Sequence, residues 1–161
     1  VARARGARVL VADLDAGRLA VARGLGLDTL AGGDALLPAV MDLTHGEGMP
    51  VVMEATGAVP AIESTVDLVA AGGRVVVLGL VPRGRGVSFA GLDLTRKEVT
   101  LHGSRASAGC FPEALRLIAG GHVRYLSIAS RLPFEAAPDT VRRLSENPFA
   151  LHKAIFAVTD A

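Results

Sequence analysis

Short apolar runs recur along the chain, and segments long enough to form helices separate them. The runs occupy residues 9–12, 51–55 and 74–79, with a weaker one at residues 29–31. Polar and apolar residues do not alternate within these runs, which is typical of strands buried on both faces, as in parallel sheets. Because parallel strands need long crossover connections, the pattern predicts an α/β fold of alternating strands and helices.

Three helices are predicted between these runs, each with an N-terminal signal and apolar residues at helical spacing. Asp15 and Asp34 are the predicted N-caps of the first two, and Pro60 suits the first turn of the third. Gly26 and the Gly72-Gly73 pair are predicted to end the first and third helices. The apolar faces are Leu19, Ala22 and Leu25, then Leu36, Val40 and Leu43, then Ile62, Val66 and Val69.

The chain after Gly79 follows a less regular pattern. Residues 81–86 are rich in Pro, Gly and Arg, which indicates a surface loop. A short helix that buries Leu115 and Ile118 is predicted over residues 112–119. The other predicted elements are strands at 99–103, 128–132 and 154–158 and a helix at 136–145. The alternation as a whole predicts a doubly wound parallel sheet of the Rossmann type.

The strand at residues 8–13 ends in the carboxylate of Asp13, and a helix follows at once. In dinucleotide-binding folds, a carboxylate at the end of the second strand accepts hydrogen bonds from the adenosine ribose. Its charge would repel a 2′-phosphate, and Leu14 offers no cation to offset it, so the sequence favours NAD over NADP. Arg18 could lay its guanidinium on the adenine. A loop or capping acid and a solvated arginine are the alternatives.

The turn that should precede such a strand is not present. A G-x-G-x-x-G turn is expected about 20 residues before Asp13, but only residues 1–6 stand before the strand, and they resemble the end of a helix. The sheet is therefore expected to lack its first strand and its glycine-rich turn. That strand is central in the order 3-2-1-4-5-6. Since each unsatisfied buried backbone group costs about 1–3 kcal/mol, the segment alone is expected to be poorly stable and inactive.

Two glycine-containing turns follow the third and fourth runs. Glu54-Ala-Thr-Gly57 comes after one run and Leu78-Gly-Leu80 after the other. Open α/β sheets bind ligands at the carboxyl ends of their strands, and glycine lets a ligand approach the backbone closely. Tight turns need the same glycines, so both interpretations stand.

Composition excludes several classes of partner. The chain has 161 residues, 50% of them hydrophobic, and a net charge of +1, which argues against nucleic acid or an anionic membrane. No apolar run reaches the roughly 18 residues of a membrane span, and no secretory signal is recognisable, so the cytoplasm is the expected compartment. The chain has one cysteine, and its 4 histidines are not at metal-ligand spacing, so no metal site is predicted. No nucleophile motif occurs either, so no catalytic residue is predicted.

Together these segments resemble the coenzyme domain of the zinc-containing medium-chain alcohol dehydrogenases, especially the sorbitol, threonine and sugar-acid dehydrogenase branch. The similarity covers nearly the whole chain and follows the family's order. The matching segments are Val9-Leu-Val-Ala-Asp13 with Arg18-Leu19 and Gly24-Leu-Gly26, Gly46-Glu-Gly48 with Val51-Val-Met-Glu-Ala-Thr-Gly57, Gly72-Gly-Arg-Val-Val-Val-Leu-Gly79, Arg96-Lys-Glu98 with His102-Gly-Ser104, Phe111-Pro-Glu-Ala-Leu115, and Lys153.

The resemblance implies which residues bind NAD and how subunits associate. The strand from Val99 to Gly103 would form the sheet edge through which such enzymes pair into homo-dimers or tetramers. The implied cofactor-binding residues are Asp13 at the adenosine ribose, Arg18 at the adenine, Thr56 and Gly57 along the groove, and Leu78, Gly79, Leu80, Ser104 and Arg105 near the nicotinamide.

The resemblance also implies that the catalytic zinc and its ligands belong to an amino-terminal domain outside this chain. Residues 1–161 would be a partial dinucleotide-binding domain, with the Rossmann portion at about 1–130 and a segment that packs toward the catalytic domain at about 131–161. The expected function is the NAD-binding part of a zinc-dependent dehydrogenase acting on a small alcohol or polyol. A zinc-independent quinone or enoyl reductase, a non-catalytic nucleotide-binding module and a methyltransferase are the alternatives.

Overall fold

The computed structural model describes residues 1–105 and 107–158. They form two compact units, Val1–Ala31 with Ala108–Ala161, and Gly32–Ser107. The elements, in chain order, are β1 (Leu10–Asp13), α1 (Ala16–Gly24), β2 (Asp28–Ala31), α2 (Leu36–Leu43), β3 (Met49–Glu54), α3 (Val59–Glu63), α4 (Thr65–Leu68), β4 (Val69–Val77), α5 (Gly91–Arg96), β5 (Thr100–Gly103), α6 (Phe111–Ala119), β6 (Ala129–Pro133), α7 (Ala137–Glu146) and β7 (Lys153–Ala157).

Strands pair in parallel in both units, which confirms the predicted α/β class. In the first unit β1 pairs with β2 and β6 with β7. In the second unit the order is β3-β4-β5. Among the described residues β1 pairs only with β2, and β3 only with β4. Each of these two strands therefore has one unpaired edge, as expected for a sheet without its first strand.

Helix α1 forms as the sequence predicts. The Asp15 side chain accepts a hydrogen bond from the backbone N–H of Arg18 at 2.7 Å and so caps the first turn. Leu19 and Ala22 are buried. Gly26 follows the helix with a φ of +75°, a conformation that suits glycine. Both ends of the helix are thus set by local sequence signals.

The third predicted helix is wrong in its second half. It is broken at Ser64 into α3 and α4, and Val69, although fully buried, begins strand β4 instead of lying on a helix. The hydroxyl of Thr65 donates to the carbonyl of Ile62 and competes with the helical hydrogen bonds there. The Gly72-Gly73 pair lies inside β4, where the pairing with β3 shifts register between Met49 and Val51. The glycines therefore shape a bulge and do not end a helix.

Two other helices differ in detail from the prediction. Helix α2 begins after Ala35 without a side-chain cap, because the N–H of Leu36 already closes a turn onto Gly33 and leaves Asp34 outside. Leu43, at the last position of α2, is exposed.

In α6 the buried leucine is Leu117, whereas Leu115 is 62% exposed. Residues two apart lie about 200° apart around a helix, so burying one turns the other outward.

Among the described residues, no helix has the length and apolarity needed to cross a bilayer.

Lys97, the residue directly after α5, contacts the end of α4. Its ammonium donates hydrogen bonds to the carbonyls of Val66 at 2.8 Å, Asp67 at 3.1 Å and Val69 at 3.1 Å. Carbonyls at the end of a helix lack intrahelical partners, so a cation placed there is favourable. Lys97 is therefore the C-terminal cap of a helix that is distant in sequence.

Replacing Lys97 with Met keeps the apolar stem and removes the ammonium. We expect this variant to lower the free energy of unfolding by about 1–3 kcal/mol, because three carbonyls lose their partner. Urea denaturation measures the change. Arg96→Met, at the neighbouring exposed position, is the matched control. Equal stability losses in the two variants would contradict the capping role.

Candidate functional site

Asp13 ends β1, and its two carboxylate oxygens have different surroundings. Oδ1 accepts a hydrogen bond from the backbone N–H of Asp15 at 2.9 Å and holds the turn between β1 and α1. Oδ2 lies 3.8 Å from Nη1 of Arg18. The side chain is 24% exposed. One oxygen of Asp13 therefore acts as a loop acceptor, and the other lies beside Arg18.

Arg18 is held on three sides and is not simply solvated. Besides its contact with Asp13, its Nη2 donates to the carbonyl oxygen of Pro148 at 3.4 Å. Its Cζ lies 4.9 Å from the centre of the Phe149 ring. The sequence offers no cation at Leu14, the residue directly after Asp13. The structure corrects this expectation, because Arg18 in the first turn of α1 lies beside the carboxylate.

A cleft of about 390 Å³ opens beside Arg18. This volume is in the range of small-molecule binding sites. Two further cationic or titratable side chains, His152 and Lys153, lie on its wall, and the other lining residues are Leu144, Pro148, Leu151 and Ala154. Apart from Lys153, no sequence motif pointed to these residues, since they are distant from Arg18 in the chain and meet it only in the folded unit.

A second candidate group surrounds Glu54 at the carboxyl end of β3. The Glu54 side chain is 5% exposed. Its Oε1 accepts hydrogen bonds from the backbone N–H groups of Thr56 at 2.6 Å and Gly57 at 3.1 Å, and from the Thr56 hydroxyl. The buried carboxylate thus fixes the turn that carries Thr56 and Gly57. Sequence reasoning missed this role, although an acid in an otherwise apolar run was its signal.

The turn after β4 packs directly against this one. The N–H groups of Leu78 and Gly79 both donate to the Glu54 carbonyl, at 2.8 and 3.2 Å. A methyl group on Gly79 would overlap the backbone nitrogen of Gly57 and lie 2.5 Å from its Cα. These glycines therefore let two backbone segments meet, as the tight-turn interpretation requires, and they bring the predicted residues Thr56, Gly57, Leu78, Gly79 and Leu80 together.

Ser104 and Arg105 extend this group at the end of β5. The N–H of Ser104 donates to the carbonyl of Val77 at 2.9 Å. Both residues are exposed, as are Leu78 and Leu80. The three turns follow parallel strands, whose carboxyl ends form the edge at which open α/β sheets bind ligands. We call the three turns at residues 56–57, 78–80 and 104–105 the turn group. The turn group belongs to the Gly32–Ser107 unit, whereas Asp13 and Arg18 belong to the other unit.

Potential metal ligands do not cluster in the part of the chain that the structure describes. There, no three His, Cys, Asp or Glu side chains lie close enough together to hold a metal ion. Cys110 is exposed and precedes α6. Asp13 offers carboxylate oxygens that can accept hydrogen bonds from hydroxyl groups, and the turn group at residues 56–57, 78–80 and 104–105 offers backbone and apolar contacts.

Comparison with known proteins relates the chain to dehydrogenases. Residues 1–120 match the family described as zinc-binding dehydrogenase. The chain is 30% identical over 146 residues to an uncharacterized zinc-type alcohol dehydrogenase-like protein of Haemophilus influenzae, covering 89% of this chain and 42% of the relative. It is 32% identical over 128 residues to D-altritol 5-dehydrogenase of Agrobacterium fabrum, covering 79% and 37%. The chain spans less than half the length of these two relatives.

A solved structure supports the fold. The chain resembles 2R,3R-butanediol dehydrogenase of Bacillus subtilis with a TM-score of 0.86 at 18% identity, over 98% of this chain and 46% of that one. At this identity the likeness concerns the fold alone. It confirms the Rossmann-type architecture predicted from the sequence.

Replacing Gly79 with Ala forces a methyl group into the backbone of Gly57. We expect a loss of about 1–3 kcal/mol in the free energy of unfolding, the usual cost of overpacking a tight contact. Thermal or urea denaturation measures it. Gly103→Ala is the matched control, because a Cβ there meets no atom within 4 Å. If Gly79→Ala were as stable as Gly103→Ala, the close approach of the two turns would be refuted.

Proposed function

Because the chain belongs to the zinc-binding dehydrogenase family, we propose that it is the coenzyme-binding part of an enzyme that transfers hydride between a secondary alcohol or polyol and NAD. Family membership confirms the resemblance drawn from the sequence and argues against the methyltransferase alternative. The cofactor, when bound, supplies the hydride acceptor. The residues of this chain bind and orient it.

The observation that carries the proposal is the position of Asp13. Its carboxylate stands at the carboxyl end of a parallel strand, directly before a helix, where a dinucleotide ribose is bound in this fold. Oδ2 accepts no hydrogen bond from the backbone of the turn, and the side chain is partly exposed. A carboxylate in this position fits the two hydroxyls of an adenosine ribose.

The same carboxylate favours NAD over NADP. A 2′-phosphate would meet a negative charge at Asp13. Arg18 offsets part of that repulsion, but its guanidinium is already engaged by the Pro148 carbonyl and the Phe149 ring. Discrimination against the phosphate is therefore proposed to be real but smaller than Asp13 alone would produce.

The turn group is the proposed contact surface for the nicotinamide half. Thr56 and Gly57 would line the groove, with Leu78, Gly79 and Leu80 and the Ser104-Arg105 pair on the nicotinamide side. The buried Glu54 supports this proposal, because it holds the first turn in one conformation before any ligand arrives. Exposed leucines beside backbone N–H and carbonyl groups suit a flat, partly polar ring.

Substrate activation is proposed to depend on residues outside this chain. In zinc enzymes of this chemistry the metal acts as a Lewis acid on the substrate oxygen. The chain covers 42% and 37% of the two curated relatives, so more than half of each relative lies outside the matched region and could hold a zinc site there. The name D-altritol 5-dehydrogenase supports a polyol as the substrate class.

Replacing Asp13 with Asn in the full-length protein tests the ribose contact. We expect NAD affinity to fall about tenfold or more, because a charge-assisted hydrogen bond is worth roughly 1.5–3 kcal/mol. We also expect the preference for NAD over NADP to shrink. Calorimetric titration with both cofactors measures this.

Asp15→Asn is the matched control for that experiment. It removes a charge two residues away and keeps the helix cap, since Asn caps as well as Asp. Unchanged NAD affinity in Asp13→Asn, or an equal loss in both variants, would refute the proposed role.

Subunit association through β5 is a further part of the proposal. All four residues of β5 are exposed, and β4 pairs with one of its edges. An exposed edge strand is a template for pairing with another chain. We propose that two copies join there into a homo-dimer or a tetramer.

A lysine at Leu101 should prevent that association, because a charge on an edge strand opposes strand pairing. We expect Leu101→Lys to reduce the mass measured by light scattering to that of a smaller assembly. Leu92→Lys is the matched control, an exposed leucine on α5 outside the edge strand. An unchanged mass for Leu101→Lys would exclude β5 as the interface.

A further inference from the structure

We propose that Phe149 is a positioning residue of the adenosine site: its ring lies against the Arg18 guanidinium and holds it beside Asp13, where a purine can stack on it. The inference rests on the proposed function, since it requires an adenine-containing ligand at Asp13. It adds a residue that the sequence did not single out and that lies more than a hundred positions from Arg18.

Three contacts restrain the Arg18 guanidinium. Its Cζ lies over the Phe149 ring, 4.9 Å from the ring centre. The Pro148 carbonyl accepts from Nη2 at 3.4 Å, and Asp13 Oδ2 lies 3.8 Å from Nη1. Because a guanidinium is planar and rigid, three contacts to separate groups restrict how far it can turn.

The ring is the one of these three restraints whose distance lies well within its usual range. The ion pair with Asp13 is long and joins side chains that are 39% and 24% exposed, and pairs of this kind contribute little. The hydrogen bond to Pro148 lies beyond the usual range of 2.7–3.2 Å. The ring, in contrast, is well within the roughly 6 Å at which a cation is attracted to an aromatic face. Removing the ring should therefore release Arg18.

A restrained arginine makes a better binding surface than a mobile one. An arginine that is mobile in the free protein loses side-chain entropy when a ligand orders it, and a contact already present in the free protein lowers that cost. The Arg18 side chain remains 39% exposed, so part of it is accessible to a stacking ligand. Phe149 thus acts on the ligand through Arg18 and not by touching it.

The test uses the full-length protein and calorimetric titration with NAD and with ADP-ribose, which contains the adenosine half but no nicotinamide. We expect Phe149→Ala and Phe149→Leu to weaken both ligands about threefold, the scale of an exposed cation–π contact. Phe149→Tyr retains the ring and should bind as the wild type does. In an Arg18→Ala background, Phe149→Ala should cause no further loss, because its effect passes through Arg18.

Phe134→Leu is the matched control, because Phe134 is 54% exposed and Phe149 is 51% exposed, and it should leave both affinities unchanged. Unchanged affinity in Phe149→Leu, or an equal loss with and without Arg18, would overturn the positioning role. A wild-type protein that binds neither ligand would instead refute the proposed function itself. Urea denaturation of each variant separates a loss of binding from a loss of folding.

Discussion

Parallel strand pairing is the constraint on which both candidate sites depend. In a parallel pair the carboxyl ends lie at the same edge, so the residues that follow neighbouring strands are brought together. Asp13 lies opposite Ala31, Glu54 opposite Val77, and Val77 opposite Gly103. Every residue of the turn group follows the carboxyl end of β3, β4 or β5. The pairing, and not any side chain alone, creates the surface on which a ligand can bind.

Asp13 ends β1 and Glu54 ends β3, yet the two carboxylates have different surroundings. Glu54 is buried, and hydrogen bonds from Thr56 and Gly57 occupy it. Its contribution is therefore to hold a turn. Oδ1 of Asp13 accepts a hydrogen bond within its turn, and Oδ2 lies near Arg18. Burial of a carboxylate is tolerated only when hydrogen bonds replace water. The buried Glu54 is therefore engaged in its turn, whereas Asp13 keeps part of its side chain exposed.

Local signals predicted most elements, and their failures share a cause. The cap at Asp15 and the stop at Gly26 act within one turn of the helix, and both were predicted correctly. Val69 carries the right spacing for a helix but lies in β4, because the pairing with β3 continues past the glycine pair. Leu115 and Leu117 have similar apolarity, and only the packing of α6 within its unit selected the one to bury.

The sequence alone determined the class of the fold, the position of the acid at the end of β1, and the glycines of the turns, because each depends on residues near one another in the chain. Tertiary structure alone decided that Gly57 and Gly79 face each other, that Lys97 caps α4, and that Phe149 covers Arg18. The periodicity of apolar residues indicates which secondary structure a segment forms and which of its faces is apolar. It carries no information on which distant segment supplies the other partner, since that choice is made by burial and pairing over the whole unit.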